Sequence, residues 1–191
     1  MGNFILITSS GYGTGKTTLA DRLPGFRLGL GIALRHVAAG ECLSNLDSSL
    51  VLNSFSQDFK EREVYTTNGP IQIRQLLIET AKNLGDEQLV SKWYSFLMDQ
   101  MDMVDSVIVD DIRSYQQLQL VKTYLENIQA DSVHLHLEAR GVSVQPDLNY
   151  EEEPAKLKSV CDYLIIRDDR PISVSGTGDF SQNQLRWMGA L

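Results

Sequence analysis

Four short apolar segments have the length and composition of buried β-strands: Phe4–Ile7, Val107–Val109, Val133–Leu137 and Tyr163–Ile166. Phe26–Leu30 is a weaker strand candidate. The segments between them carry apolar residues at helical spacing. Strands that alternate with helices form parallel sheets covered on both faces, so the pattern predicts an α/β fold with a central parallel sheet.

Capping and breaking residues set the expected helix limits. A first helix opens at Lys16 and stops at Pro24-Gly25, and later helices are expected at Ile32–Ala39, from Pro70 to Gly85, from Asp86 onward, from a capping box of Ser114 and Gln117 to about Asn127, and at Pro154–Val160. Residues 41–69 give mixed signals, with a loop signal at Thr66–Gly69. We expect Tyr163–Ile166 to be the last strand, residues 173–184 to be a loop, and residues 184–191 to form a helical end.

The stretch Phe4–Leu23 combines a strand, a loop of small residues and a helix start. Ser9–Gly15 contains three glycines, and Lys16-Thr17-Thr18 follows it. This order is the arrangement of a phosphate-binding P-loop. Glycines let the loop amides turn toward a phosphate, a lysine reaches the β and γ phosphates, and the next hydroxyl ligates Mg²⁺. The predicted ATP site is Gly11, Tyr12, Gly13, Thr14, Gly15, Lys16, Thr17 and Thr18, with Thr17 as a Mg²⁺ ligand.

One position departs from the usual P-loop pattern. The pattern has a glycine five residues before Gly15, where this chain has Ser10. Serine is small and Gly11 follows at once, so we regard the departure as minor. The alternative is a glycine-rich turn that happens to precede Lys-Thr. The strand before the loop and the helix after it disfavour that alternative.

Composition narrows the class of protein. The chain has 191 residues, 42% hydrophobic and 22% charged, which is ordinary for one globular domain. Its net charge of −8 disfavours broad non-specific nucleic-acid binding, although a local basic groove is compatible with it. Cys42 and Cys161 stand in no C-x-x-C pattern, which is typical of reduced cytoplasmic thiols. The apolar start at Phe4 is too short for a signal peptide or a membrane span, so we expect a cytoplasmic protein with no membrane partner.

Acidic and basic residues follow the apolar strand Val107–Val109. Asp110 and Asp111 come directly after it, where P-loop enzymes carry the acid that positions Mg²⁺. The alternative is a solvated strand end or a helix cap. Arg113 is a candidate phosphate ligand, the alternative being a surface ion pair. The carboxyl ends of parallel strands share one edge, so the P-loop, Asp110-Asp111 and Arg140 are expected to converge there.

Two further sets of residues invite a functional interpretation. Arg74 lies in the first turn of a predicted helix, where an arginine could clamp a phosphate in two hydrogen bonds, or could simply be exposed. His134 and His136 alternate with leucines, so both imidazoles lie on one strand face. No third metal ligand stands at a diagnostic spacing, and we therefore interpret them as polar groups of a core strand rather than as a metal site.

Taken together, these residues resemble the deoxynucleoside monophosphate kinases of bacteriophages. The resemblance rests on the P-loop, on Ile73-Arg74-Gln75-Leu76-Leu77 followed by Trp93, on Val107–Arg113, and more weakly on Cys161–Ile165. It implies a single P-loop kinase domain over residues 1–191, with a substrate-binding insertion at about 41–103 and a lid at about 139–156. It also implies ATP and Mg²⁺ as cofactors, Thr17 and Asp110 on the metal, and catalytic roles for Lys16, Asp110, Asp111, Arg74, Arg113 and Arg140.

Departures from that family leave the acceptor open. After Arg113 the family tends to continue with an aromatic residue, Pro, Asn and Glu, where this chain has Ser114–Gln117, and the expected lid has one arginine, Arg140, and is otherwise acidic. The first hypothesis is phosphorylation of a free nucleoside monophosphate. A second is phosphorylation of the hydroxymethyl group of a modified pyrimidine in phage DNA, in which Asp110 or Asp111 would act as general base. A third is a regulatory nucleotide-binding ATPase. Base specificity and oligomeric state stay open.

Overall fold

The structure, a computed structural model, describes residues 3–11, 14–100, 104–139, 152–167 and 173–176. The chain divides into two compact units, one formed by Met1–Gly29 with Leu97–Leu191 and the other by Leu30–Phe96. The second unit interrupts the first in sequence and overlaps most of the predicted insertion. Tyr12, Gly13, Arg140, most of the predicted lid and the tail 184–191 lie outside the described residues.

A six-stranded sheet forms the centre of the first unit. Numbered along the chain, its strands are β1 Asn3–Ser9, β2 Phe26–Arg27, β5 Ser106–Val109, β6 Asp131–Ala139, β7 Tyr163–Arg167 and β8 Ser173–Gly176. Their order is β2-β5-β1-β6-β7-β8, with five parallel strands and β8 antiparallel to β7. The predicted α/β class with a central parallel sheet is confirmed. The prediction of a loop over residues 173–184 was wrong for Ser173–Gly176, which pair with β7 as β8, and Tyr163–Ile166 is therefore not the last strand; residues 177–184 lie outside the described residues.

Helices α1 Lys16–Ala20, α6 Tyr115–Asn127 and α7 Glu153–Ser159 belong to the same unit. One face of the sheet packs against α1 in a core of Ile5, Ile7, Leu19, Ala20, Leu23, Ile108, Leu135, Leu137, Tyr163 and Ile165. α6 contacts β6, and α7 contacts β1. The predicted start of α6 is confirmed, because the Ser114 hydroxyl accepts a hydrogen bond from the Gln117 amide at 3.0 Å. The Gln117 side chain accepts from the amide of Arg113 at 2.9 Å.

The second unit contains α2 Leu30–Ala39, α3 Asn45–Leu52, α4 Gln57–Lys60, the hairpin of β3 Glu63–Thr66 and β4 Gly69–Gln72, and most of α5 Ile73–Gln100. Its core joins the four elements α2, α3, β3 and α5 through Ala38, Ala39, Val51, Val64, Ile73 and Leu76. The expected helix start at Pro70 was wrong. Pro70 pairs with Tyr65 in the hairpin, and the helix begins only at Ile73, whose amide donates to Arg62.

Gly85 breaks the long helix α5. Its φ of 68° and ψ of 173° are non-helical and belong to a region that only glycine adopts without strain. The predicted end of one helix at Gly85 and start of the next at Asp86 is therefore confirmed. In the described part of the chain, no helix combines the length and apolar character needed to cross a membrane.

Candidate functional site

The loop after β1 is fixed by hydroxyl groups at both of its ends. The Ser9 hydroxyl donates to the Gly11 carbonyl at 3.0 Å, and the buried Thr14 hydroxyl donates to the same oxygen at 3.1 Å. The Ser10 amide donates to Leu137 of β6 at 3.1 Å, so the loop leaves the sheet only after Ser10. The loop therefore begins at a defined point on the carboxyl edge of the central strand.

Gly15 and Lys16 connect this loop to α1. Gly15 has φ 95°, in the left-handed region that favours glycine, and its carbonyl accepts the first helical hydrogen bond from Leu19 at 2.9 Å. Lys16 follows directly, half-buried, while the Thr17 and Thr18 side chains are exposed. Burial raises the pKa of Asp110 and lowers the pKa of His136; the Lys16 charge opposes the first shift and adds to the second, so Lys16 lies within electrostatic range of both side chains. The loop, its lysine and the carboxylate after β5 thus share one edge of the sheet.

Arg27 is the direct partner of Asp110. From the end of β2, its Nε donates to Asp110 Oδ2 at 3.0 Å and its Nη2 forms an ion pair with the same oxygen. Its Nη1 also donates to Asp21 Oδ1 at 3.0 Å, just beyond α1. Arg27 therefore ties the strand end that carries Asp110 to the helix that follows the loop.

Asp110 is 2% exposed, which is unusual for a carboxylate. A Cβ placed on Gly29 would overlap Asp110 Oδ1, so the close approach depends on glycine at that position. Burial and then the charge of Asp111 raise the pKa of Asp110, against the lowering effects of the Arg27 hydrogen bonds and charge and of Lys16. The next residue, Asp111, is half-buried with φ 64°, so the chain turns sharply directly after the strand.

Arg113 lies three residues beyond Asp110, half-buried, at the start of the turn into α6. Its backbone amide is held by the Gln117 side chain. The structure therefore places the loop, Lys16, Asp110 and Asp111 at one edge of the sheet in the first unit, to which Arg113 also belongs.

The two histidines of β6 share the hydroxyl of Thr8 from the neighbouring strand β1. Thr8 Oγ1 lies 2.7 Å from His134 Nε2 and 2.8 Å from His136 Nδ1. His134 Nδ1 lies 3.3 Å from the Val160 carbonyl, which only accepts, so we assign the ring proton to Nδ1. Thr8 then donates its single proton to His134 Nε2 and accepts from His136 Nδ1. The chain of hydrogen bonds fixes both rings as neutral imidazoles protonated at Nδ1.

In this arrangement of hydrogen bonds, His136 Nε2 carries no proton and presents a lone pair. It is buried and has no hydrogen-bond partner among the described residues. Burial lowers the pKa of His134 and of His136 to about 4 each, with His134, Lys158 and Lys16 adding to the effect on His136 and Glu138 opposing it. Among the described residues no three His, Cys, Asp or Glu side chains form a group that could hold a metal ion. Both imidazoles are buried polar groups of the core strand β6.

The second unit holds Arg74. It is exposed in the first turn of α5, in a different unit from the loop. Another arginine of this unit, Arg35, is only 8% exposed and contacts residues of the same unit. It donates to the Gly31 carbonyl at 3.0 Å and lies 4.3 Å from the centre of the Phe55 ring.

Two arginines of the site were missed by sequence reasoning. Arg27 lies inside the weak strand candidate Phe26–Leu30, and only the structure shows that the strand ends at Arg27, so no sequence signal identified it. Arg167 ends β7, and its guanidinium lies against Gly15. That contact joins residues 152 positions apart, and no local pattern predicts it.

No protein-family model matches this chain, and no curated protein matches it either. The function is therefore inferred from the geometry of the site and from the residues that form it.

Proposed function

We propose that this chain is an ATP- and Mg²⁺-dependent phosphotransferase of the P-loop kinase type, which converts a (deoxy)nucleoside monophosphate to the diphosphate. One observation carries the proposal. A glycine loop ending in Gly15-Lys16-Thr17 leaves the carboxyl end of the central parallel strand β1, next to the strand that ends in the buried Asp110. Ligands of α/β sheets bind at this edge.

The residues present fit ATP and Mg²⁺. A threonine hydroxyl and a carboxylate are the hard oxygen donors that Mg²⁺ prefers, and Thr17 and Asp110 are the candidates to hold it. Mg²⁺ held there with ATP would neutralise negative charge that develops during transfer. Arg27 holds the Asp110 carboxylate in one orientation, so this acid is positioned before any ligand binds.

The transfer itself requires little covalent chemistry from the protein. An oxygen of the acceptor phosphate forms a bond to the γ-phosphorus of ATP, the bond from that phosphorus to the β–γ bridging oxygen breaks, and ADP leaves. Lys16 would neutralise charge on the β and γ phosphates, and arginines would hold the acceptor. An acceptor phosphate is already anionic, so no general base is needed. Arg113 and Arg74 are the described candidates for the acceptor.

Lys16→Ala tests the proposal. Turnover is measured as ADP formed from ATP in the presence of each common monophosphate, for the wild type and the variant. We expect the loss of this cation to reduce turnover by about 100-fold or more, since it acts on charge present in the transition state. The matched control is Lys82→Ala, which removes an exposed lysine of α5 and should leave turnover unchanged.

Two outcomes would contradict the proposal. One is a folded Lys16→Ala variant with turnover near that of the wild type. The other is ADP formation that no monophosphate accelerates, which would favour a regulatory ATPase.

A further inference from the structure

We propose that Arg167 is a further nucleotide-contacting residue, whose guanidinium donates hydrogen bonds to the polyphosphate chain of the nucleotide held by the loop. The inference rests on the proposed function, because it takes the loop after β1 to be the phosphate site. Arg167 is a cation at the end of β7, a strand that carries neither the loop motif nor the acidic residues that follow β5.

Arg167 contacts the loop directly at Gly15. A Cβ placed on Gly15 would lie 2.5 Å from Arg167 Nη1, 3.6 Å from its Cζ and 3.7 Å from its Cδ. The guanidinium therefore fills the space beside the loop that glycine leaves open. Gly15 immediately precedes Lys16, so two cationic side chains border the same turn of backbone.

The register of the sheet explains how Arg167 reaches this position. Ser9 of β1 pairs with Leu137 of β6, and Leu137 pairs with Ile165 of β7. Arg167 stands two residues beyond Ile165, about 7 Å further toward the carboxyl edge, where the loop leaves β1. Side chains alternate along a strand, so Arg167 also points to the face of Ile165, which packs against α1.

The charge of Arg167 also favours an anionic ligand. Arg167 is exposed, and within the described part of the chain no carboxylate forms an ion pair with it. The arginine at the end of β2 is, by contrast, engaged by Asp21 and Asp110. A planar guanidinium with several donors suits an anion with several oxygens, and a nucleotide polyphosphate is the anion that the proposed function brings to this loop.

The test is equilibrium binding of ATP, ADP and adenosine, with Mg²⁺, to the intact chain by titration calorimetry. The variants are Arg167→Ala, Arg167→Lys, Lys16→Ala and the control Arg22→Ala, which removes an exposed arginine beyond the far end of α1. We expect Arg167→Ala to weaken ATP and ADP binding about tenfold or more and to leave any adenosine binding unchanged. Arg167→Lys should lose less, since it keeps the charge without the fork, and Arg22→Ala should match the wild type.

The outcomes separate the two proposals. If Lys16→Ala weakens ATP binding but neither Arg167 variant does, the Arg167 assignment is wrong and the loop assignment stands. If adenosine binding falls as much as ATP binding, Arg167 contacts the base, and the assignment to the polyphosphate is overturned. If the wild type does not bind ATP, both proposals fail. Should Arg167→Ala not fold, a severalfold loss of ATP affinity in Arg167→Lys with unchanged adenosine binding supports the assignment, and an affinity equal to the wild type overturns it.

Discussion

Thr8 occupies the centre of the polar part of the sheet, and its hydroxyl satisfies one nitrogen on each of two buried histidines. A buried imidazole that loses its partner bears the full cost of desolvation, whereas an exposed one bonds to water. The position of the two histidines on one strand face follows from their spacing in the sequence. The hydroxyl between them depends on the register of β1 against β6, which that spacing does not encode.

Replacing Thr8 by valine tests the hydrogen-bond chain. Valine keeps the shape of threonine but removes the hydroxyl, so His134 Nε2 and His136 Nδ1 lose their partner together. We expect the free energy of unfolding to fall by about 2 kcal/mol or more in urea titrations. The control is Thr123→Val in α6, where the hydroxyl is exposed and bonds to a backbone carbonyl of its own helix. Equal effects of the two substitutions would contradict the account.

The lowered pKa values of the two histidines predict a loss of stability in acid. His136 has a pKa of about 4 in the folded state against 6.5 as its ordinary value. Between pH 6.5 and pH 4 the unfolded chain binds a proton that the folded chain does not, so the free energy of unfolding falls as the pH falls. Each histidine contributes about 3 kcal/mol at most to this loss.

His136→Gln isolates one of these contributions. The variant has no group that titrates at position 136, so its deficit in stability relative to the wild type should shrink as the pH is lowered from 7 to 4.5. Urea titrations at several pH values measure the deficit. A deficit that stays constant across this range would show that the folded state holds His136 with its ordinary pKa.

At the scale of the elements, sequence patterns predicted the parallel strands and most of the helices, and they failed where a short-range signal had two meanings. Proline is compatible both with the first turn of a helix and with an edge position of a hairpin. Pairing with β3 places Pro70 in the hairpin. β2 has two residues, and its place in the sheet comes from pairing with β5 rather than from its own composition. The helix break at Gly85 was predicted correctly, because a glycine between two helical patterns indicates the end of a helix.

The pair of Arg27 and Asp110 joins β2 to β5, and a double-mutant cycle measures its strength. Arg27→Met leaves the buried Asp110 carboxylate without its cation and should lower the free energy of unfolding by about 2–4 kcal/mol. Adding Asp110→Asn to that variant should recover part of the loss, because the buried charge is removed. Arg22→Met, at an exposed arginine of the same unit, is the control and should be nearly neutral. Strictly additive effects in chemical denaturation would refute a direct interaction.

At the scale of the whole molecule, the proposed site residues are divided between two units. The loop, Lys16, Asp110 and Arg113 belong to the first, and Arg74 belongs to the second. Strand ends of one sheet share an edge, so the sequence alone was enough to predict that the loop and Asp110 lie at the same edge of the sheet. Arg74 belongs to the second unit, so the shared edge of the sheet does not predict its position. Its role has to be tested by measuring activity and acceptor binding.

Arg74→Ala distinguishes the possible acceptors. If Arg74 clamps a free monophosphate, its loss should weaken the apparent affinity for that acceptor about tenfold or more and hardly change ATP binding. The control is Arg62→Ala, another exposed arginine of the same unit. If the acceptor is instead a base in DNA, the loss should be modest, and added salt should weaken wild-type binding steeply. Acceptor affinity at low and high salt, for all three proteins, decides between them.

Transfer of the labelled γ-phosphate of ATP is the most direct test of the central claim. The intact chain is incubated with Mg²⁺, γ-labelled ATP and, in parallel, a panel of nucleoside monophosphates and a hydroxymethylated DNA, and the labelled products are separated. The account predicts label in at least one nucleoside diphosphate, and its loss when Lys16 is replaced by alanine. Label confined to the DNA, or released only as inorganic phosphate, would contradict it.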